Sequence, residues 1–201
     1  MENFSADAGV HTAAKGLFEY LLIVTPRKDV YNKVMEEKHY FSRTYAQPVA
    51  TKTQPHITIS DFLAWDSMED SIIRWLQRII KEQKSFPVIL NNYSGFPDHT
   101  IYVRVQDPVP FKELAARIKA IDPYIKKSDH QSAKFISYPH MTIARRLPKQ
   151  VYEQAIKDYA GKDFVASFTV TELVLLRRQH PYDTCKEVAV FRLQTDESSL
   201  N

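Results

Sequence analysis

Along the chain, apolar residues alternate with polar ones in some stretches and recur every three to four residues in others. The switches between these two periods mark out the elements. Leu17 to Val24 is an apolar, aromatic-containing run that predicts a buried strand. Thr25 and Pro26 stop it and open a helix, with Thr25 as cap and Pro26 in the first turn. Val30, Val34 and Met35 give that helix an apolar stripe to about Lys38. Residues 39–54 carry no period and predict a long loop, placed to act as a lid over the strand that follows. Ile72, Ile73, Leu76, Ile79 and Ile80 form the clearest amphipathic pattern, begun by Asp66, Glu69 and Asp70. Phe86–Leu90 and Thr100–Gln106 predict two strands around a turn-rich connection over residues 93–98. A helix with Phe111, Leu114, Ala115 and Ile118 on one face ends before Pro123, and residues 124–137 predict a second loop. Tyr152, Ala155, Ile156 and Tyr159 mark a helix between Pro148 and Gly161. Phe164–Leu176 and Glu187–Leu193 read as the last strands, joined by a loop over residues 177–183.

One six-residue frame is used twice. Pro55-His56-Ile57-Thr58-Ile59-Ser60 and Pro139-His140-Met141-Thr142-Ile143-Ala144 both read Pro-His-apolar-Thr-Ile-small, and their histidines lie 84 residues apart. On a strand, alternation puts His56, Thr58 and Ser60 on one face and Ile57 and Ile59 on the other. The second copy gives His140, Thr142 and Ala144 over Met141 and Ile143. A single His-x-Thr on a strand is more often structural than catalytic. Two of them in matching frames predict two imidazoles and two hydroxyls facing a common cleft. Such a set suits phosphoryl transfer without a metal.

The repeat also bounds the architecture. Strand-helix-strand units in which the His-x-Thr strand follows a helix and loop occur in both halves, and no Gly- or Ser-rich linker separates them. The order predicts an α+β fold: a bilobal, pseudo-symmetric duplication, with antiparallel sheets lining a central cleft and helices outside. Residues 1–16 read as an N-terminal arm, 17–195 as a single bilobal domain and 196–201 as a tail.

Composition narrows the chemistry only slightly. The 201 residues carry a net charge of +3, which tolerates a phosphate-bearing substrate without forming a basic stripe. The one cysteine, Cys185, rules out an internal disulfide and a Cys-rich metal site. No signal peptide or membrane-spanning run is evident, so a cytoplasmic monomer with no membrane partner is expected.

The paired motifs resemble the two-histidine (2H) phosphoesterase superfamily, in its 2′-5′ RNA ligase-like or RNA 2′,3′-cyclic phosphodiesterase branch. The resemblance runs from about Leu17 to Leu193. It includes Ser94-Gly95-Phe96-Pro97 and the extension of the second motif to Arg145. It implies the same bilobal fold and an RNA end or small nucleotide as partner, with no cofactor. One departure stands out: Ser60-Asp61-Phe62-Leu63-Ala64 carries an acid and no glycine where that branch commonly has a Phe-Leu-Gly-type segment.

Histidine titrates near neutrality, so His56 and His140 are the candidate acid and base. Thr58 and Thr142 would donate to the phosphate oxygens, Arg145 would add a charged contact, and Arg146 should face away. Tyr182, beside His180, is a candidate for stacking on a base or ribose. No acid cluster accompanies either motif, so neither histidine is expected to hold a metal. The leading expectation is a hydrolase opening 2′,3′-cyclic phosphates. The alternatives are 2′-5′ phosphodiester hydrolysis or ligation, and an RNA- or nucleotide-binding module without catalysis.

Overall fold

The computed structural model describes residues 16–126, 132–180 and 183–195. The chain opens with β1 (Leu17–Val24), α1 (Lys28–Thr44), a 3₁₀ turn (Pro48–Lys52), β2 (Ile57–Trp65) and α2 (Glu69–Ile80). β3 (Phe86–Phe96), β4 (Thr100–Val105), α3 (Val109–Ile118), α4 (Asp122–Lys126) and β5 (Lys134–Phe135) follow. It closes with β6 (His140–Arg145), α5 (Lys149–Ala160), β7 (Val165–Val170), β8 (Glu172–Arg178) and β9 (Lys186–Arg192).

Two antiparallel sheets result. One has the order β5-β2-β1-β8-β9 and the other β6-β4-β3-β7. Each motif strand thus has an equivalent seat: β2 beside β1 in the first sheet, β6 beside β4 in the second. β2 and β6 approach each other, so the two motifs meet between the sheets. Helices take the outer faces. α1 packs on β6 and β7, α5 on β3 and β4, α2 on β9, and α3 and α4 on β2. The fold is the α+β, pseudo-symmetric arrangement that the repeat predicts.

Several boundaries differ from the sequence expectation, each for a physical reason. α1 starts at Lys28 without a side-chain cap; Arg27, in extended backbone, clamps Asp29 through Nε (2.7 Å) and Nη2 (2.9 Å) instead of Thr25 capping the turn. The helix then runs on to Thr44, because Lys38 lies on its apolar stripe with Val30, Val34 and Phe41 and is buried rather than terminal. The expected lid over 39–54 is reduced accordingly, and its 3₁₀ turn packs against α1 and β6. α3 ends at Ile118, before Pro123 as expected, but a separate short helix, α4, begins at Asp122 with Pro123 in its first turn and takes up the start of the expected loop over 124–137.

β3 extends through Tyr93-Ser94-Gly95-Phe96, where a turn was expected. A Cβ on Gly95 would stand 2.6 Å from Tyr152 Oη and 2.9 Å from Cε2, so this glycine marks the close approach of α5 rather than a turn. The stretch 164–176 is two strands, broken at Thr171, with β7 in one sheet and β8 in the other. Alternation shows that a segment is extended, but not which sheet it joins. Arg177 and Arg178 lie on β8 rather than in a loop, donating to Glu69 (2.6 Å) and Glu19 (2.6 and 2.9 Å).

Candidate active site

The two motifs share a backbone irregularity as well as a sequence. β1 pairs Ile23 with Thr58 and Leu22 with Ser60, passing over Ile59. β4 pairs Tyr102 with Thr142 and Ile101 with Ala144, passing over Ile143. Each is a bulge at the residue after the threonine. One extra residue reverses the facing of everything beyond it. Ser60 and Ala144 are therefore each 1% exposed, where simple alternation placed them beside the histidines. Asp61 and Arg145 turn to the histidine side in their place. The displaced Ser60 Oγ finds no hydrogen-bond partner among the described residues.

Both histidines are held the same way. His56 Nδ1 lies 2.7 Å from the Gln54 carbonyl, and His140 Nδ1 lies 2.8 Å from the Tyr138 carbonyl. A carbonyl only accepts, so each Nδ1 carries a hydrogen and donates it. Each Nε2 is then the nitrogen left to exchange a proton with a ligand. His140 sits among rings, edge-on to Phe96 at 4.9 Å and tilted against Tyr102 at 5.1 Å.

Electrostatics separates the two. Burial pushes His56 below the usual histidine range, and the charges of Lys38, Arg145 and His140 push it the same way against the Gln54 hydrogen bond. Burial alone lowers His140, opposed by the bond to Tyr138. The Arg145 charge thus reaches His56. Asp61 and Lys134 face each other at 4.0 Å, and burial raises the Asp61 carboxyl.

Lys38 is the residue that sequence reasoning passed over. It is 1% exposed, and its Nζ donates to Thr53 Oγ1 (3.2 Å) and to the Thr142 and Ile143 carbonyls (3.1 Å each). Those two carbonyls belong to the bulge of the second motif, and Thr53 lies in the loop leading to the first. One ammonium therefore braces both. Burial, with the Arg145 charge, pushes Lys38 down to about 8. The signal was available: a lysine at the i+4 position from Val34 on an apolar stripe.

A cavity of about 260 Å³ brings Thr58 and His140 together with Asp61, Phe96, Lys134 and Tyr138. Thr142 lies two residues from His140 on the same strand face, half-exposed. Tyr182 falls outside the described residues; the His180 N–H donates to Asp183 Oδ2 at 2.9 Å. Among the described residues no three His, Cys, Asp or Glu side chains converge as a metal site, and no helix is long and apolar enough to cross a membrane.

Known proteins match both the chain and the fold. A candidate phosphoesterase of Staphylococcus aureus strain Newman is 26% identical over 175 residues, spanning 86% of this chain and 97% of its own. E. coli LigT, solved with 3′-AMP, superposes with a TM-score of 0.60 at 14% identity, covering 88% of this chain and 98% of LigT. The MHV ns2 PDE domain superposes with a TM-score of 0.52 at 14% identity, covering 80% of this chain and 99% of the domain. The model of the 2′-5′ RNA ligase superfamily matches residues 32–181, which hold both His-x-Thr motifs, and the chain belongs to that superfamily.

Proposed function

We propose that the protein is a metal-independent phosphodiesterase that opens 2′,3′-cyclic phosphates on RNA or nucleotides by paired-histidine acid-base catalysis. The observation carrying this reading is the matched tethering of the two imidazoles. Both Nδ1 atoms are committed to carbonyls two residues back, which leaves both Nε2 atoms for proton exchange. The reading draws support from the family, from the nucleotide held by LigT, and from a donor set of imidazoles, hydroxyls and cations.

In the proposed step one neutral histidine takes a proton from water through Nε2 as the water oxygen bonds to phosphorus. The other histidine, protonated, gives its Nε2 proton to the ribose 3′ oxygen as the P–O3′ bond breaks, leaving a 2′-phosphate. Thr58 and Thr142 hydroxyls donate to the non-bridging oxygens, where negative charge grows. Arg145 adds a charge-assisted contact to the same oxygens.

The test is turnover by purified protein in excess EDTA of 2′,3′-cyclic nucleotides, 2′-5′-linked dinucleotides and 3′-5′-linked dinucleotides. Rapid opening of the cyclic phosphates to 2′-phosphates is expected. Turnover confined to 2′-5′ linkages, or lost to EDTA and restored by one metal, would replace this reading.

A further inference from the structure

Beyond the cavity that holds Thr58 and His140 lies a second one, of about 250 Å³, that no step above uses. The two share Tyr138 as a common wall. We propose that this second cavity binds the penultimate nucleotide of a single-stranded RNA, so that the substrate is an oligonucleotide end rather than a free mononucleotide. The proposal rests on the reading given under Proposed function.

The cavity is built from the groups a nucleotide needs. Arg104 stands directly across the β4–β6 ladder from His140, and directly paired residues project from the same sheet face. Its Nε donates to the Asn91 carbonyl at 3.2 Å, which fixes the guanidinium while its terminal nitrogens remain donors for a phosphate. Asn91 and Gln106 add two carboxamides whose Nδ2 and Oε1 lie 3.5 Å apart, each with donor and acceptor capacity for a base edge. Tyr138 is 48% exposed, although Phe96 and Tyr102 meet its ring edge-on at 6.0 Å each. An aromatic ring braced on one side and open on the other is a stacking platform, and stacking with phosphate contact is how single-stranded RNA is held.

The chemistry also fixes the direction. A 2′,3′-cyclic phosphate ends its chain, so a substrate seated with that group at His140 can extend only toward its 5′ side. The neighbouring cavity therefore takes the 5′ nucleotide, and Arg104 the phosphodiester that joins it to the last one.

The experiment compares kcat/KM for a cyclic mononucleotide with that for a trinucleotide ending in the same cyclic phosphate, using wild type and Arg104→Gln. Wild type should favour the trinucleotide by about 10-fold, chiefly through KM. Arg104→Gln should lose that preference, keep its mononucleotide rate within about 2-fold, and lower the salt slope of trinucleotide binding by about one. Equal wild-type values for the two substrates, or an equal loss on both in Arg104→Gln, overturns the subsite. If neither substrate turns over, the proposed activity is wrong, and fluorescence anisotropy with a labelled trinucleotide decides the subsite alone. Tighter binding to wild type than to Arg104→Gln sustains it, and equal binding overturns it.

Discussion

Asp61 and Arg145 stand at the same position of two copies of one motif, each five residues beyond its histidine and each turned to the histidine side of its strand by a bulge. The duplicated backbone has thus been given opposite charges at equivalent seats. A phosphodiester between the motifs would be drawn to one and repelled by the other. Arg145→Gln should raise KM for a cyclic phosphate by about 10-fold or more, the size of a lost charge-assisted hydrogen bond. Asp61→Asn should lower KM several-fold with kcat little changed. Steady-state kinetics at one ionic strength reads both, and KM moving in the same direction in both variants would contradict the assignment.

The two histidines act as one unit in the proposed step. His56→Ala and His140→Ala should each cut kcat by ~10²–10⁴-fold, and the double variant should be little slower than the worse single one. Circular dichroism should show all three folded. Multiplicative losses in the double variant would mean that the histidines serve separate steps.

A pH profile tests the electrostatics. Both histidines are held below the ordinary value in the free protein, so the bell in kcat/KM should centre below pH ~6.5. A bound phosphodiester brings negative charge that raises both, so the bell in kcat should lie at higher pH than that in kcat/KM. A kcat/KM optimum on the alkaline side of neutrality would mean that burial does not govern these groups.

Lys38 should leave a mark on stability. Its ordinary value is 10.5, and burial brings it to about 8 in the folded chain. Between those values the unfolded chain binds more protons, so stability should rise with pH, by about 3 kcal/mol over the whole window. Urea unfolding at pH 8 and pH 10 should show this rise in wild type and not in Lys38→Met. Removing the charge should also raise His56 and shift the limb of the kcat/KM bell that His56 governs to higher pH. Identical pH slopes in both proteins would show that Lys38 keeps its usual affinity for the proton.

Much of the fold was legible because burial imposes a period on sequence. Val30 and Val34, and Ile72, Leu76 and Ile80, named their helices, and the repeated frame named the duplication. The misreadings came from features without a period. A bulge adds a residue that composition does not announce, so Ser60 and Ala144 were placed on the wrong face. Lysine is rarely buried, so a lysine on the stripe reads as a helix end, and the burial of Lys38 is explained by acceptors distant in sequence, the Thr53 hydroxyl and the Thr142 and Ile143 carbonyls. The second cavity joins β3, β4 and the segment before β6, a combination visible only after folding.

The break at Thr171 has a consequence for how this molecule comes into being. Because the chain there leaves one sheet for the other, β1 gains its second neighbour only when β8 arrives, and the Glu19–Arg178 pair spans 159 residues. During synthesis the strands carrying the first histidine must wait, one edge of β1 exposed, until that late segment leaves the ribosome. Nascent chains stopped before residue 172 should therefore bind chaperones and resist being rescued by dilution, whereas chains released past residue 192 should close cooperatively.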